Sequence, residues 1–158
     1  MDSTTNVYFN RAGNEIALAQ AVVLLSENEK IKQEVFHMPK EITFYSAVIS
    51  HSYYAIFYSA KAYLRTKGVV FTEKQGQHQR VYHEFGKLVK KGVIDKELLE
   101  IYKEARIKAE TLLEILRQEK DNRNEFTYEK LPQANKEPAK SSLRNAQQFY
   151  RHLLSLVR

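Results

Sequence analysis

A chain of 158 residues is the length of one domain, long enough to bury roughly 68–70% of its unfolded surface without covalent staples. Apolar residues make up 43% and charged residues 28%, an ordinary globular balance, and the absence of cysteine excludes disulfides, thiolate zinc sites, iron–sulfur clusters and cysteine nucleophiles. A net charge of +6 favours polyanionic partners, nucleic acid above all, although the same charge also serves solubility.

No apolar run approaches the ~20 residues needed to cross a bilayer. The opening MDSTTNVYFN has no basic region followed by an apolar block, so no secretory signal is read there. These features lead to the expectation of a cytoplasmic protein with no membrane segment. With 5 Gly and 3 Pro to interrupt the chain, a helical bundle with few turns is expected.

Residues 5–25 set Tyr8, Ala12, Ile16, Ala19 and Val23 at spacings of three and four, which predicts an amphipathic helix capped by Ser3, Thr4 or Thr5. The charged insert 26–38, SENEKIKQEVFHM, either prolongs that helix or forms a mobile connection, with Ile31, Val35 and Phe36 marking a helical excursion. Pro39 sets a boundary. From Thr43 to Gly68 the chain is apolar or small on nearly every side, the pattern of a buried central helix. Ser50, Ala55, Ser59 and Ala60 let neighbours approach, and the rings of Tyr53, Tyr54, Phe57 and Tyr58 fill the gaps between helices. Thr43 is placed to cap this helix and Gly68 to end it in a left-handed turn.

Residues 69–77 read as a loop. A third helix is predicted from about His78 to Lys91, with His78, Val81, Tyr82, Phe85, Leu88 and Val89 on its apolar stripe and Gly92 at its end. Asp95 suits the cap of a fourth helix running to about Glu119. The polar loop 120–137 contains Pro132. A last helix starts near Pro138, with Leu143, Ala146, Tyr150, Leu153 and Val157 in heptad spacing. No useful strand alternation occurs. The fold class is all-α, an up-and-down bundle of about five helices in a single domain, 1–158.

The segment YYAIFYSAKAYL at 53–64 resembles the signature of the HEPN domain family, in which a central helix carries Tyr-Tyr-Ala followed by apolar and small residues. HQRVYHEFGKLVKKGVID resembles the family segment with a His ahead of an apolar stripe and a short acidic cap. Arg123–Asn124 with Tyr128 shortly after, and the closing AQQFYRHLLSLV, continue the likeness. The resemblance implies a helical bundle that pairs into a homodimer, often with Arg-containing motifs facing across a cleft, and a function near RNA or nucleotides. Many members are metal-independent ribonucleases, frequently toxins encoded beside a small nucleotidyltransferase that silences them. Their active motif is an Arg, a polar residue, then a His after four to six intervening residues. Here Tyr128 stands where that His is expected. A phenol with a pKa near 10 is a hydrogen-bond donor rather than a base at neutral pH. The resemblance therefore implies binding more than cleavage and, if the protein is an enzyme, a metal-independent endoribonuclease.

Arg123 is the candidate catalytic residue, since a guanidinium can hold charge building on a phosphate. Arg123, Asn124 and Tyr128 are the candidate nucleotide- or RNA-binding residues, Tyr128 by stacking. The plainer reading is a polar loop whose Arg bonds helix-end carbonyls. His51 lies within the apolar helix and reads as a hydrogen-bonded core or interface histidine; His51 or His78 becomes a substitute base if the fold brings it to Arg123. His78 and His83 are five apart and lack a carboxylate set, so no metal site and no cofactor are expected. Arg80, Lys87, Lys90, Lys91, Lys103, Arg106 and Lys108 form either a phosphate track or ordinary dipole complementation. Two functional classes follow: a dimeric nucleotide- or RNA-binding protein, and a non-catalytic module that docks a nucleotidyltransferase or another chain.

Overall fold

A computed structural model describes residues 1–72, 75–121 and 135–157, the last seven of the second stretch by backbone alone. These residues form α1 (Ser3–Glu27), a π-helical turn (Ile31–Val35), α2 (Tyr45–Thr66), α3 (Gln77–Lys90), α4 (Lys96–Asp121) and α5 (Lys136–Ser155). No strand occurs among the described residues, so the fold is an all-α bundle.

The predicted stripe of α1 is buried at Phe9, Ala12, Ile16, Ala19 and Val23. Its cap is Asp2, whose Oδ1 accepts from the Thr5 amide at 2.7 Å, and not Ser3, Thr4 or Thr5. The carboxylate also lies beside the dipole's positive end, a place a neutral hydroxyl exploits less. α2 is the centre of the bundle: α1, α3, α4 and α5 all pack on it. Its start is not capped by Thr43. The Phe44 amide donates instead to Oγ of buried Ser26 at 2.9 Å, so the end of α1 caps the start of α2. Ser52 and Ser59, buried in mid-helix, donate to the Val48 and Ala55 carbonyls one turn back, both at 2.7 Å.

The charged insert breaks from α1 at Asn28 and makes the expected helical excursion as the π-helical turn Ile31–Val35. Lys32 is buried within it, and its ammonium donates to the carbonyls of Ser26 and Ile42, both at 3.0 Å, and to that of Lys40. α5 begins at Lys136, two residues before the predicted start, so Pro138 sits within the first turn, where a missing N–H costs no helical bond. Lys136 and Lys140 hold this end to Glu27 of α1 at 3.0 and 2.8 Å. Tyr102, Phe85 and Phe149 fill the core where α3, α4 and α5 meet.

Contrary to the sequence reading, α2 is not sealed on every side. Tyr54 is 41% exposed, and Tyr53 and Tyr58 are half-buried. On that face Tyr58 stacks on Tyr8 of α1 and Tyr53 on His78 of α3.

Candidate functional site

Arg123, Asn124 and Tyr128 lie outside the described residues. The constellation that can be built residue by residue stands on α2, α3 and α4. On α2, Tyr53 and Phe57, and likewise Tyr54 and Tyr58, are one turn apart, so four rings share a face. The left-handed Gly76, φ 71°, turns the chain into α3 and sets His78 in its first turn, against that face. The imidazole stacks on Phe57 with centroids 4.1 Å apart and planes 15° from parallel. Its Nδ1 lies 2.7 Å from the Tyr53 hydroxyl, and Tyr54 meets it edge-on at 5.8 Å. The two segments of family resemblance, 25 residues apart at Tyr53 and His78, thus meet in one hydrogen bond.

Cations surround the rings. Lys61, only 6% exposed, donates to Gln77 Oε1 at 2.6 Å and lies 4.5 Å from the centroid of Tyr8. Arg106 of α4 donates from Nε to Glu110 at 2.7 Å and from Nη2 to Gln79 at 2.8 Å, with its guanidinium 4.9 Å over Tyr82. Arg11 of α1 sits 5.0 Å over Tyr58, which stacks in turn on Tyr8 and Tyr54. A ladder of partly open rings therefore runs from Tyr58 through Tyr54 to His78, with the Arg11 guanidinium over Tyr58 and that of Arg106 within electrostatic reach of His78.

The electrostatics follow from this packing. Burial, with Lys61 and Arg106 nearby, lowers the His78 pKa below that of an ordinary histidine. Burial pushes the Tyr53 phenol up to about 12. The Arg106 guanidinium is held even more firmly charged by its bond to Glu110. Near neutral pH the site is thus a neutral imidazole and neutral phenols beside fixed cations. Beneath it, the Tyr102 hydroxyl is buried without a hydrogen-bond partner among the described residues.

His51 is indeed hydrogen-bonded, its Nδ1 2.6 Å from Glu15 of α1, but it belongs to the α1–α2 seam rather than to the His78 cluster. Of the basic residues read as a possible track, Arg106 lies over Tyr82 and Arg80 over Phe71 in the segment before α3, whereas Lys87 is tied to Glu84 at 2.8 Å. Lys61 is the residue the sequence reading passed over, although a lysine in mid-course of an apolar helix was a usable signal. Among the described residues no group of three His, Asp or Glu side chains is placed to hold a metal. Nor, among them, is any helix long and apolar enough to cross a membrane.

The family model of the HEPN domain matches residues 40–156, which include α2 to α5 and leave α1 outside. No curated protein and no solved structure matches the chain.

Proposed function

The chain belongs to the HEPN domain family, and on that premise we propose that it binds RNA or a nucleotide on the face built by Tyr54, Tyr58, His78 and Arg106. The family membership points to nucleotide or RNA chemistry in general terms. The observation that carries the finer reading is the half-open ring ladder of α2 with the Arg11 guanidinium over one end and that of Arg106 within electrostatic reach of the other. Exposed rings stack on bases of any sequence, and guanidinium groups hold phosphates, so the pair of features suits single-stranded nucleic acid. The first turn of α3 adds to this, for it has no acidic residue and no capping side chain to compete for an anion.

Arg123, Asn124 and Tyr128 enter the reading as further candidate contacts on their chemistry alone, an Arg and an Asn for phosphate and a phenol for stacking. It also takes the working form to be a homodimer, in keeping with the habit of the family. Cleavage is not part of the proposal, because the segment after Arg123 offers a phenol where a base is needed.

The test is fluorescence anisotropy with a labelled single-stranded RNA, in EDTA, with the RNA recovered afterwards for sizing. Tyr54→Ala and Arg106→Ala should each weaken binding roughly tenfold, the scale of one lost stacking or phosphate contact. Intact RNA supports binding alone. Cleavage abolished by Arg123→Ala would reinstate the enzyme. No binding, or unaltered binding by both variants, would sink the reading.

A second reading, a protein-docking module, is favoured by one feature. An apolar cleft of about 300 Å³ opens between the end of α1 and the π-helical turn, lined by Leu18, Leu24, Leu25, Ile31 and Phe36. Loss of RNA binding together with recovery of a protein partner sensitive to Leu24→Asp would favour it.

A further inference from the structure

We infer that the His78 site prefers guanine among the bases, because the polar atoms that His78 and Arg106 have left for a ligand are hydrogen-bond donors. The inference rests on the proposed nucleotide- or RNA-binding reading and names the base class that this site takes.

The tautomer of His78 is set by Tyr53. The phenol is protonated and partly buried, so its O–H needs an acceptor, and Nδ1 of His78 lies 2.7 Å away. If Nδ1 carried the hydrogen instead, the phenol's own proton would lose this partner. Nδ1 therefore accepts, and the single hydrogen of a neutral imidazole sits on Nε2. The lowered pKa agrees with a ring that stays neutral near physiological pH. One face of the His78 ring is packed on Phe57, while the residue as a whole is exposed.

The acceptors around it are already engaged. Gln77 Oε1 takes a hydrogen bond from Lys61 at 2.6 Å, and Gln79 Oε1 takes one from Arg106 at 2.8 Å. Arg106 uses its Nε on one oxygen of Glu110 at 2.7 Å. A guanidinium has five N–H groups, and these two bonds leave donors over.

Guanine matches this set. Its N7 and O6 are two adjacent acceptors on one edge, which a donor pair can bind together. Adenine puts an amino donor beside N7, and cytosine also presents an amino group there, so each turns a donor toward donors. Uracil offers a single carbonyl on that edge. Tyr54 can stack on any base and so adds affinity without preference.

The experiment compares binding of labelled hexaribonucleotides that share a phosphate backbone and differ in the central pair: UUGGUU, UUAAUU, UUCCUU and UUUUUU. The GG hexamer should bind about tenfold tighter than the AA and CC hexamers, the discrimination of one bidentate base contact. His78→Phe, which keeps a ring against Phe57 and removes the donor, should bring GG and AA within about twofold. Should that variant fail to fold, 7-deazaguanine at the central positions tests the same contact in the unaltered protein and should lose most of the preference. Equal affinity for all four hexamers would overturn the guanine inference and leave the binding proposal standing. Failure of every hexamer to bind would overturn both.

Discussion

Lys32 carries a charge into the interior with no carboxylate to answer it among the described residues. Three N–H donors meet three backbone carbonyls, those of Ser26, Lys40 and Ile42, so the ammonium is satisfied as a hydrogen-bonding group while its charge faces only dipoles. The side chain thereby closes the segment between α1 and α2. Lys32→Met keeps the apolar stem and strands the three carbonyls, which should cost roughly 3 kcal/mol in urea denaturation. Lys30→Met, which removes an exposed partner 4.0 Å from Glu34, should leave the midpoint nearly where it was. Equal effects would show that Lys32 is not the closure. His78 makes a second claim at this scale. Its folded pKa lies below its unfolded value, so the unfolded chain binds more protons through that interval. Stability should be at its full level above about pH 6.5 and fall as the pH drops through the lowered folded pKa. In His78→Phe that part of the pH dependence of Tm should vanish, and the His78 ring resonances of the native chain should titrate with a midpoint below about 6.5.

Each helix end tests its own geometry. At the end of α2, the Gly68 amide donates to Arg65 and the Val69 amide to Leu64, at 3.0 and 3.1 Å, with Gly68 at φ 83°. Nothing lies within 4 Å of a Cβ built there, so Gly68→Ala meets no clash and carries only the cost of left-handed backbone, about 1 kcal/mol of lost stability. Gly86 lies inside α3, where an added Cβ meets only a Leu99 methyl at 4.0 Å. Gly86→Ala should therefore stabilise by roughly 0.5–1 kcal/mol, the opposite sign, in the same urea titration. Two shifts of like sign would refute the assignment of backbone conformation. The sequence shows these elements well, because a 3.6-residue period and a glycine stop are local signals. The stripe of α1, the Gly68 and Gly92 ends and the centrality of α2 were all legible from neighbours in the chain. What was not legible depends on partners far away in it. Ser26 caps α2 from 18 residues upstream, and Tyr53 meets His78 from 25 residues away. Composition alone cannot reveal that Tyr54 is exposed, since a half-open aromatic face and a sealed one have the same residues.

For the whole molecule, the net charge of +6 draws anions without saying where they settle. The cations near the ring ladder are arginines, Arg11 over Tyr58 and Arg106 over Tyr82, with Arg80 over Phe71. Lys61 is almost buried, so in the proposed complex its field, more than direct contact, would reach the ligand. Three guanidinium contacts to phosphate predict that log K for single-stranded RNA falls with log salt at a slope of about −2, since each phosphate neutralised contributes about 0.7. Arg106→Ala should reduce that slope by about 0.7. The lysines of the α3 C-terminus supply the contrast. Lys90 and Lys91 lie a helix length, about 20 Å, from His78, well beyond the ~10 Å over which salt lets exposed charges act. Replacing both with Ala should lower the net charge by two and leave the slope unchanged, because a contact at the first turn of α3 does not reach them. A slope that tracks total charge, moving equally with the lysines and with Arg106, would mean that the ligand is held by diffuse attraction. The ring face would then have no claim to be its seat.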